Sequence, residues 1–249
     1  MPVGRRFAEP LVRLWTQGGP VPGFGCSQRS TRTMYVPAQF AEADPEVLRA
    51  LIRAHPLGAW VTPTDHELLV NHIPFLLDST RGERGVLVGH VARANPVWQQ
   101  FSRTRPSAVI FQGPQQYITP SWYPSKAEHG KMVPTWNYAV VHVHGIPQIR
   151  EDRDWLLNHV TQLSAEHESH EAQPWRVDEA PADFIEGLLR AIVGVEIPID
   201  RWDGKWKVSQ NRTPADQAGV VSGLRARGTE EAQAMAGLVA GKGKLRAES

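Results

Sequence analysis

The sequence predicts a mainly β protein with flanking helices, an α+β chain built around an antiparallel barrel. Six short segments rich in β-branched or aromatic residues carry this prediction, and clusters of Gly, Pro, Asp and Ser separate them. Few helical patterns lie between these segments, which favours antiparallel pairing over a doubly wound parallel sheet. None of them is followed by Gly-x-Gly-x-x-Gly, since Gly23-Phe-Gly25 lacks a third glycine and precedes all of them.

The predicted elements follow in order from residue 44. Asp44 and Pro45 are typical of a helix start, the next apolar residues recur at helical spacing, and Pro56 ends the pattern. The six predicted strands cover residues 57–62, 67–77, 85–91, 108–112, 116–119 and 135–149. Helices at 152–168 and 181–193, strands at 195–200 and 205–209, and helices at 213–227 and 229–240 complete the prediction. The apolar face of the 181–193 helix, which includes Phe184 and Leu188, is expected to pack on the barrel.

Composition sets the class of protein. The chain has 249 residues, 41% of them hydrophobic, and a net charge of +1, which suits one large core or two small ones. Charges interrupt every apolar stretch before it could span a bilayer, so a membrane-spanning segment is excluded. Cys26 is the only cysteine and can form neither an intramolecular disulfide nor a cysteine-based zinc site. A reducing compartment suits such a chain, and we expect it to be cytoplasmic.

Three regions follow from these patterns. Residues 1–33 are rich in Arg, Pro and Gly without a sustained apolar period, which predicts a disordered extension. Residues 34–212 carry the strands and form the predicted barrel domain. Residues 213–249 form a predicted helical segment and a tail.

The segment from Val88 to Trp98 ends a strand and begins a helix with residues suited to an anion. Asn95 lies at the expected N-cap and Pro96 at the first helical position, so several free backbone N–H groups should point toward Arg93 and His90. Any capped helix after a strand has this pattern, so it predicts a phosphate site only together with other motifs.

Five further motifs accompany it in a fixed order: Phe111-Gln-Gly-Pro114, Pro120-Ser-Trp-Tyr123, Pro134-Thr-Trp-Asn-Tyr138, Val141-His-Val-His-Gly145 and Lys207-Val-Ser-Gln-Asn-Arg212. In this order and spacing the six motifs resemble the PaiB family, FMN-binding proteins described as negative transcriptional regulators of protease synthesis and sporulation. The resemblance extends from Met34-Tyr-Val-Pro-Ala-Gln-Phe40 to about Arg227. It implies a six-stranded antiparallel FMN-binding split barrel that forms a homodimer with its flavin sites at the subunit interface.

A bound FMN needs an anion site for its phosphate, a flat apolar slot for its ring system and donors at the ring edge. We expect His90, Arg93 and Asn95 to bind the phosphate, because a guanidinium matches phosphate oxygens well. Asn71 and His72 lie in the strand before this motif, where they could offer donors to the ring edge or be ordinary polar residues of a strand edge.

Aromatic residues supply the predicted wall of the slot. Trp122 and Trp136 are the expected ring contacts, and Asn137 is the expected hydrogen-bond donor. Lys207 and Gln210 are expected to reach the flavin of the partner, because the resemblance implies that the C-terminal segment of the second chain completes each site. The alternative is a solvated strand end before the helix cap at 211–213.

A metal ion and haem are the alternatives to FMN. His142 and His144 emerge on one face of a predicted strand, but the sequence nominates no third ligand, so no metal site is predicted. Haem remains an alternative cofactor, since related split barrels include haem-handling members, although no histidine is singled out as its axial ligand.

Two functions remain open. The resemblance implies a negative transcriptional regulator, whereas the alternative is a flavin-dependent oxidoreductase or reductase without direct DNA binding. No nucleophile motif or Walker loop marks catalysis by the chain itself. The 229–240 helix begins with two acids and is a poor DNA reader. Basic residues near the C-terminus could still make a weak, salt-sensitive contact with the DNA backbone. They are Arg212, Arg225, Arg227, Lys242, Lys244 and Arg246.

Overall fold

The computed structural model describes residues 34–241, so the prediction for residues 1–33 lies outside the described residues. The strands are β1 Ala41–Glu42, β2 Leu57–Pro63, β3 Leu68–Pro74, β4 Leu76–Asp78, β5 Val86–Ala92, β6 Ser107–Ile118, β7 Thr135–Gly145, β8 Gln148–Arg150, β9 Ile192–Pro198 and β10 Arg201–Lys207. The helices are α1 Pro45–Ala54, α2 Val97–Gln100, α3 Ser125–His129, α4 Arg153–Glu168, α5 Ala182–Arg190, α6 Pro214–Arg227 and α7 Glu230–Ala240. Short 3-10 turns occur at Ala38–Phe40, Pro120–Trp122 and Val177–Glu179.

The strands form two antiparallel sheets. The larger has six strands in the order β1-β10-β7-β6-β2-β3, and the smaller has four in the order β4-β5-β9-β8. Every strand pair is antiparallel, and the mainly β architecture with flanking helices is confirmed.

Two predicted strands each divide between the sheets. The 67–77 strand ends at Pro74, Phe75 turns into the core with 1% of its surface exposed, and β4 begins in the smaller sheet. The 135–149 strand likewise divides into β7 and β8. A single apolar run can therefore change sheets, because a short kink redirects its backbone hydrogen bonds without interrupting its hydrophobicity.

In β6, two predicted strands form a single strand. We predicted separate strands at 108–112 and 116–119, but β6 continues through both with a register shift between Gln112 and Gln115. A β-bulge accommodates the intervening Gly113 and Pro114 without ending the pairing.

The helices at 45–54, 153–168, 214–227 and 230–240 begin within one residue of their predicted starts. Asp44 Oδ1 accepts from Glu46 N at the start of α1, and Asp152, Thr213 and Thr229 cap α4, α6 and α7 through their side chains. The prediction for α5 is wrong in part, because Phe184 and Leu188 are 57% and 49% exposed instead of packed on the barrel. Buried residues of α1, α6 and α7 join the same core as the sheets, including Leu51, Leu224 and Met235.

Candidate functional site

One face of the six-stranded sheet carries aromatic, cationic and aliphatic side chains. Cross-strand register places Lys207 beside Tyr138 and Tyr138 beside Gln115, and it places Trp136 beside Tyr117. Because directly opposite residues share a face and side chains alternate along each strand, the face continues across β2 to the edge strand β3. We call it the open sheet face and define it by Leu68, Val70, His72, Tyr117, Trp136, Tyr138, Lys205 and Lys207.

Its apolar members are exposed in the single chain. Leu68, Val70, Trp136 and Tyr117 have 65%, 57%, 49% and 40% of their surface exposed. Single exposed apolar residues are ordinary, but several on one sheet face form the kind of patch that marks a binding surface.

Two lysines make the β10 end of this face positive. Lys207 Nζ donates to Trp136 O over 2.8 Å and to the Thr135 hydroxyl. Lys205 Nζ donates to Tyr35 O over 2.9 Å and lies 5.4 Å from the Tyr138 ring centroid. Neither lysine forms an ion pair with a carboxylate among residues 34–241.

The pKa of Lys207 is lowered, first by burial and then by the positive charges of Lys205 and Arg212. A cluster of cations that forms no ion pair with a carboxylate in residues 34–241 favours an anionic ligand. Lys205 was not predicted from the sequence, although its position two residues before Lys207 in a strand places it on the same face.

Trp136 and Asn137 lie on opposite sides of β7. Trp136 Nε1 donates to Gln115 Oε1 over 3.2 Å, and its ring meets Tyr117 edge-on with centroids 6.1 Å apart. Asn137 is 1% exposed and donates from Nδ2 to Ser209 Oγ over 2.9 Å. Trp136 therefore belongs to the open sheet face, whereas Asn137 lies in the interior beneath it.

Gln210 braces the turn after β10. Its Oε1 accepts from Val208 N over 2.8 Å, and its Nε2 donates to Trp206 O. Both polar atoms of the side-chain amide bond to the nearby backbone, so Gln210 does not extend onto the open sheet face.

Asn71 and Asn95 meet at the edge of the larger sheet. Asn95 Nδ2 donates to Asn71 Oδ1 over 2.7 Å, which ties the turn after β5 to the edge strand β3. His72, the next residue along β3, is exposed on the open sheet face opposite Ala59 of β2. Alternation therefore sends Asn71 and His72 to opposite sides of the strand.

The helix expected at Asn95 is a single turn. Asn95 Oδ1 accepts from Val97 N over 3.1 Å, and α2 ends at Gln100. The structure starts this helix one residue later than predicted, with Pro96 at the N-cap position, and a single turn has little dipole. Binding of a phosphate at this junction stays a prediction.

Arg93 and His90 are also bound within the chain. The Arg93 guanidinium donates to Arg190 O over 3.0 Å, to Ile192 O over 3.2 Å and to Glu151 Oε1 over 2.6 Å. His90 Nδ1 lies 3.0 Å from His159 Nε2 of α4. In the single chain, the Arg93 guanidinium at this junction is therefore already hydrogen-bonded to protein groups.

Trp122 has a packing role away from the open sheet face. Its ring lies directly against Gly223 of α6, where a Cβ would overlap it, and Arg227 stacks over it with 4.4 Å from Cζ to the ring centroid. The role of Trp122 as a flavin contact stays a prediction. The sequence carries no signal that separates a tryptophan that packs in the core from one that contacts a ligand.

The paired histidines of β7 face Asp203 of β10. His144 Nε2 lies 3.8 Å from Asp203 Oδ2, and burial, followed by the charge of Arg201, lowers the pKa of His144 to about 4. No group of three His, Cys, Asp or Glu side chains within residues 34–241 is arranged to hold a metal ion.

Comparison with known proteins now fixes the family. The family model described as "Putative FMN-binding domain" matches residues 34–201. The chain belongs to this family. It is 30% identical to Protease synthase and sporulation protein PAI 2 of Bacillus subtilis over 84% of this chain and 98% of that protein. An uncharacterized protein of Emericella nidulans is 34% identical over 86% of this chain and 99% of its own length.

The PaiB resemblance is thereby confirmed, and membership of this family gives the chain FMN as its cofactor. Among solved structures, the flavocytochrome Anf3 of Azotobacter vinelandii shares the fold, with a TM-score of 0.50 and 14% identity over 67% of this chain and 69% of that one. The split-barrel fold class is confirmed. Within residues 34–241, no helix of this PaiB-family chain has the length and apolar character required to cross a membrane.

The residues of the open sheet face fit FMN. Lys205 and Lys207 form a positive cluster without a carboxylate partner in the described part of the chain, which suits the anionic portions of the cofactor. Trp136, Tyr138 and Tyr117 provide flat apolar surface beside it. FMN, when bound, supplies the capacity to accept and donate electrons.

Proposed function

We propose that the protein is an FMN-binding regulator of the PaiB type that acts as a homodimer, with each flavin held between the open sheet faces of two copies. The single observation that carries this proposal is the open sheet face itself, which combines exposed apolar residues with unneutralised lysines. The first favour contact with another copy of the chain, and the second favour an anionic cofactor.

The layout of the sheet supports a site made by two chains. Three strands separate the polar residues of β3 from the lysines of β10. At a strand spacing of about 4.8 Å, these groups are about 19 Å apart across one sheet. This separation is larger than one ring system, which favours a site that a second copy completes.

We assign His72 of one copy, on its open sheet face, to the ring edge, and Trp136 and Lys207 to the flavin of the partner. The Asn71–Asn95 pair lies on the other side of the same edge strand, and we assign it to a part of FMN that extends past the edge of the sheet. Asn137 supports Trp136 from beneath, and Gln210 holds the turn that follows Lys207. His90 and Arg93 support the same region through their own partners, and Arg93 becomes a phosphate ligand only if it exchanges Glu151 for the phosphate.

The regulatory role does not rest on α7 as a DNA-reading helix. Most of its apolar side chains are buried, and Glu230 and Glu231 occupy its first turn. Arg227 of α6 is also engaged, since its Nη1 donates to Gln116 Oε1 over 2.7 Å and to Tyr117 O over 2.9 Å. We assign any DNA contact to weak, salt-sensitive binding of the phosphate backbone.

A flavin-dependent oxidoreductase is the second candidate function. The engagement of α7 and Arg227 favours it, because these groups offer no set of base-reading side chains. On this alternative, the exposed flanks of the open sheet face admit a redox partner to the cofactor, and regulation of transcription is indirect.

The experiment uses the purified full-length chain. An absorption spectrum with mass identification of the released cofactor tests FMN against haem, and sedimentation equilibrium tests the homodimer. FMN in a dimer supports the proposal; a monomer that holds FMN, or a Soret band without flavin, contradicts it. Gel shifts across a salt series then separate the two functions, because a salt-resistant, sequence-specific shift supports the regulator and turnover of reduced nicotinamide without such a shift supports the enzyme.

A further inference from the structure

The chain turns sharply at Ser209, two residues after β10 ends at Lys207. Ser209 has a φ of 64°, and among the described residues it is the only non-glycine residue with a positive φ. This left-handed conformation has no steric cost for glycine but has one for serine. Non-glycine residues in such conformations cluster at ligand sites, where the surrounding contacts impose the strained shape.

Hydrogen bonds from two directions hold Ser209 in this conformation. Asn137 Nδ2 donates to its hydroxyl oxygen over 2.9 Å, and Arg212 N donates to its carbonyl oxygen over 2.9 Å. Ser209 and Asn137 are 4% and 1% exposed, so water does not compete for the hydrogen bond between them. A buried contact with β7 therefore fixes the turn.

Arg212 holds the other side of the turn. Its guanidinium lies over the ring of the buried Tyr123, with 5.0 Å from Cζ to the ring centroid. Its Nη1 contacts Met132 Sδ over 3.5 Å. Both ends of the segment from Ser209 to Arg212 are thus attached to other parts of the chain, which opposes fraying of the end of β10.

The turn lies beside the two residues that we assign to the flavin of the partner, Trp136 and Lys207. Asn137 stands between Trp136 and Tyr138 on β7, and Tyr138 is directly opposite Lys207. Lys207 Nζ also donates to Trp136 O over 2.8 Å. The Asn137–Ser209 hydrogen bond therefore joins the end of β7 that carries Trp136 to the end of β10 that carries Lys207.

We propose that Ser209 is a positioning residue of the flavin site. The hydrogen bond that it accepts from Asn137 fixes the turn after β10 and thereby holds the Lys207 ammonium beside Trp136, ready for the anionic cofactor. Ser209 is buried and does not touch the cofactor, so it acts through Lys207, whose long side chain would otherwise lose more conformational freedom on binding. The inference rests on the proposed function, which assigns Lys207 to the flavin.

The test is a double-mutant cycle of FMN affinity, measured by quenching of flavin fluorescence on titration of the full-length apoprotein. Ser209→Ala should weaken binding about fivefold or more, because it removes the hydroxyl that Asn137 holds. In the Lys207→Met background the same substitution should cause no further loss, since the group that Ser209 positions is gone. Ser107→Ala is the matched control and should leave the affinity unchanged, since Ser107 is 1% exposed in the same sheet and donates to Thr62 Oγ1 over 2.7 Å.

Urea unfolding checks that each variant is folded. If Ser209→Ala does not fold, Ser209→Gly takes its place in the cycle, because it removes the same hydroxyl and accepts the positive φ without strain. Parent-like affinity of the Ser209 variant, an equal loss with Ser107→Ala, or an additive loss in the Lys207→Met background would overturn the inference and leave the proposed function in place. Parent-like affinity of Lys207→Met would instead overturn both the inference and the assignment of Lys207 to the flavin.

Discussion

Glu196 accepts two hydrogen bonds from the guanidinium of Arg81, over 2.6 and 3.0 Å. Arg150 and Trp155 Nε1 donate to the same carboxylate, which is 1% exposed. The hydrogen bond from Arg81, with those from Arg150 and Trp155, lowers the pKa of Glu196 to about 2 despite its burial. One carboxylate thus joins the turn after β4, strands β8 and β9, and helix α4.

Glu196→Gln should destabilise the protein by about 1–2 kcal/mol, because it weakens the hydrogen bonds to two guanidinium groups that water can partly solvate. The native pKa lies below the unfolded value, so the ionised form stabilises the fold above about pH 4.5 and this stabilisation is lost as pH falls toward 2. Urea unfolding between pH 7 and pH 3 measures both effects. The exposed substitution Glu83→Gln is the control, and equal unfolding curves for the two variants would contradict the role of Glu196.

The imidazole of His159 should titrate near pH 4 and not near its ordinary value of 6.5. Burial is the main cause and His90, which faces it from β5, is the second. Because the native pKa is lowered, His159 costs no stability above about pH 6.5 and destabilises the fold as pH falls from there toward 4. NMR titration of the ring protons measures this. A His159 transition near pH 6.5 would show that the ring is solvated.

Gly194→Ala should destabilise the protein by about 1–3 kcal/mol, since the new methyl group overlaps the Trp155 ring that Glu196 holds in place. Gly187→Ala provides a matched control in α5, where a Cβ meets nothing within 4 Å. That control should stabilise the helix by about 0.5–1 kcal/mol. Chemical denaturation of both variants measures the difference, and a neutral Gly194→Ala would mean that Trp155 moves freely.

Lys207→Met should weaken FMN binding by about tenfold or more, because it removes a charge-assisted contact to an anionic cofactor. Quenching of flavin fluorescence on titration of the apoprotein measures the affinity. The exposed substitution Lys126→Met on α3 should leave it unchanged. If both variants bind FMN as the parent does, the cofactor does not contact the β10 end of the open sheet face.

Val70→Lys should convert the proposed dimer to a monomer, because it places a charge in the apolar part of the open sheet face. Phe184→Lys is the matched control, since Phe184 is also 57% exposed but lies on α5. Sedimentation equilibrium separates the outcomes. A dimer that survives Val70→Lys but dissociates with Phe184→Lys would move the interface to α5.

Local chemistry made much of the fold predictable. The caps at Asp44, Asp152, Thr213 and Thr229 act within a few residues, so the sequence alone determined where four helices begin. The strand segments were likewise visible from their apolar residues and turn signals. Ordered motifs identified the family and its cofactor.

Only the tertiary structure decided the sheet to which each strand belongs and the partner that each polar side chain finds. The apolar run continues across Pro74 to Leu77, and only Ile146 and Pro147 separate β7 from β8, so the hydrophobic pattern did not indicate that the chain changes sheets at these points. Arg93 resembles a phosphate ligand in sequence, yet distant carbonyls at Arg190 and Ile192 bind it in the fold. The roles of Lys205 and His159 could not be predicted for the same reason. The burial of a side chain and the partners of its polar atoms depend on neighbours that are remote along the chain.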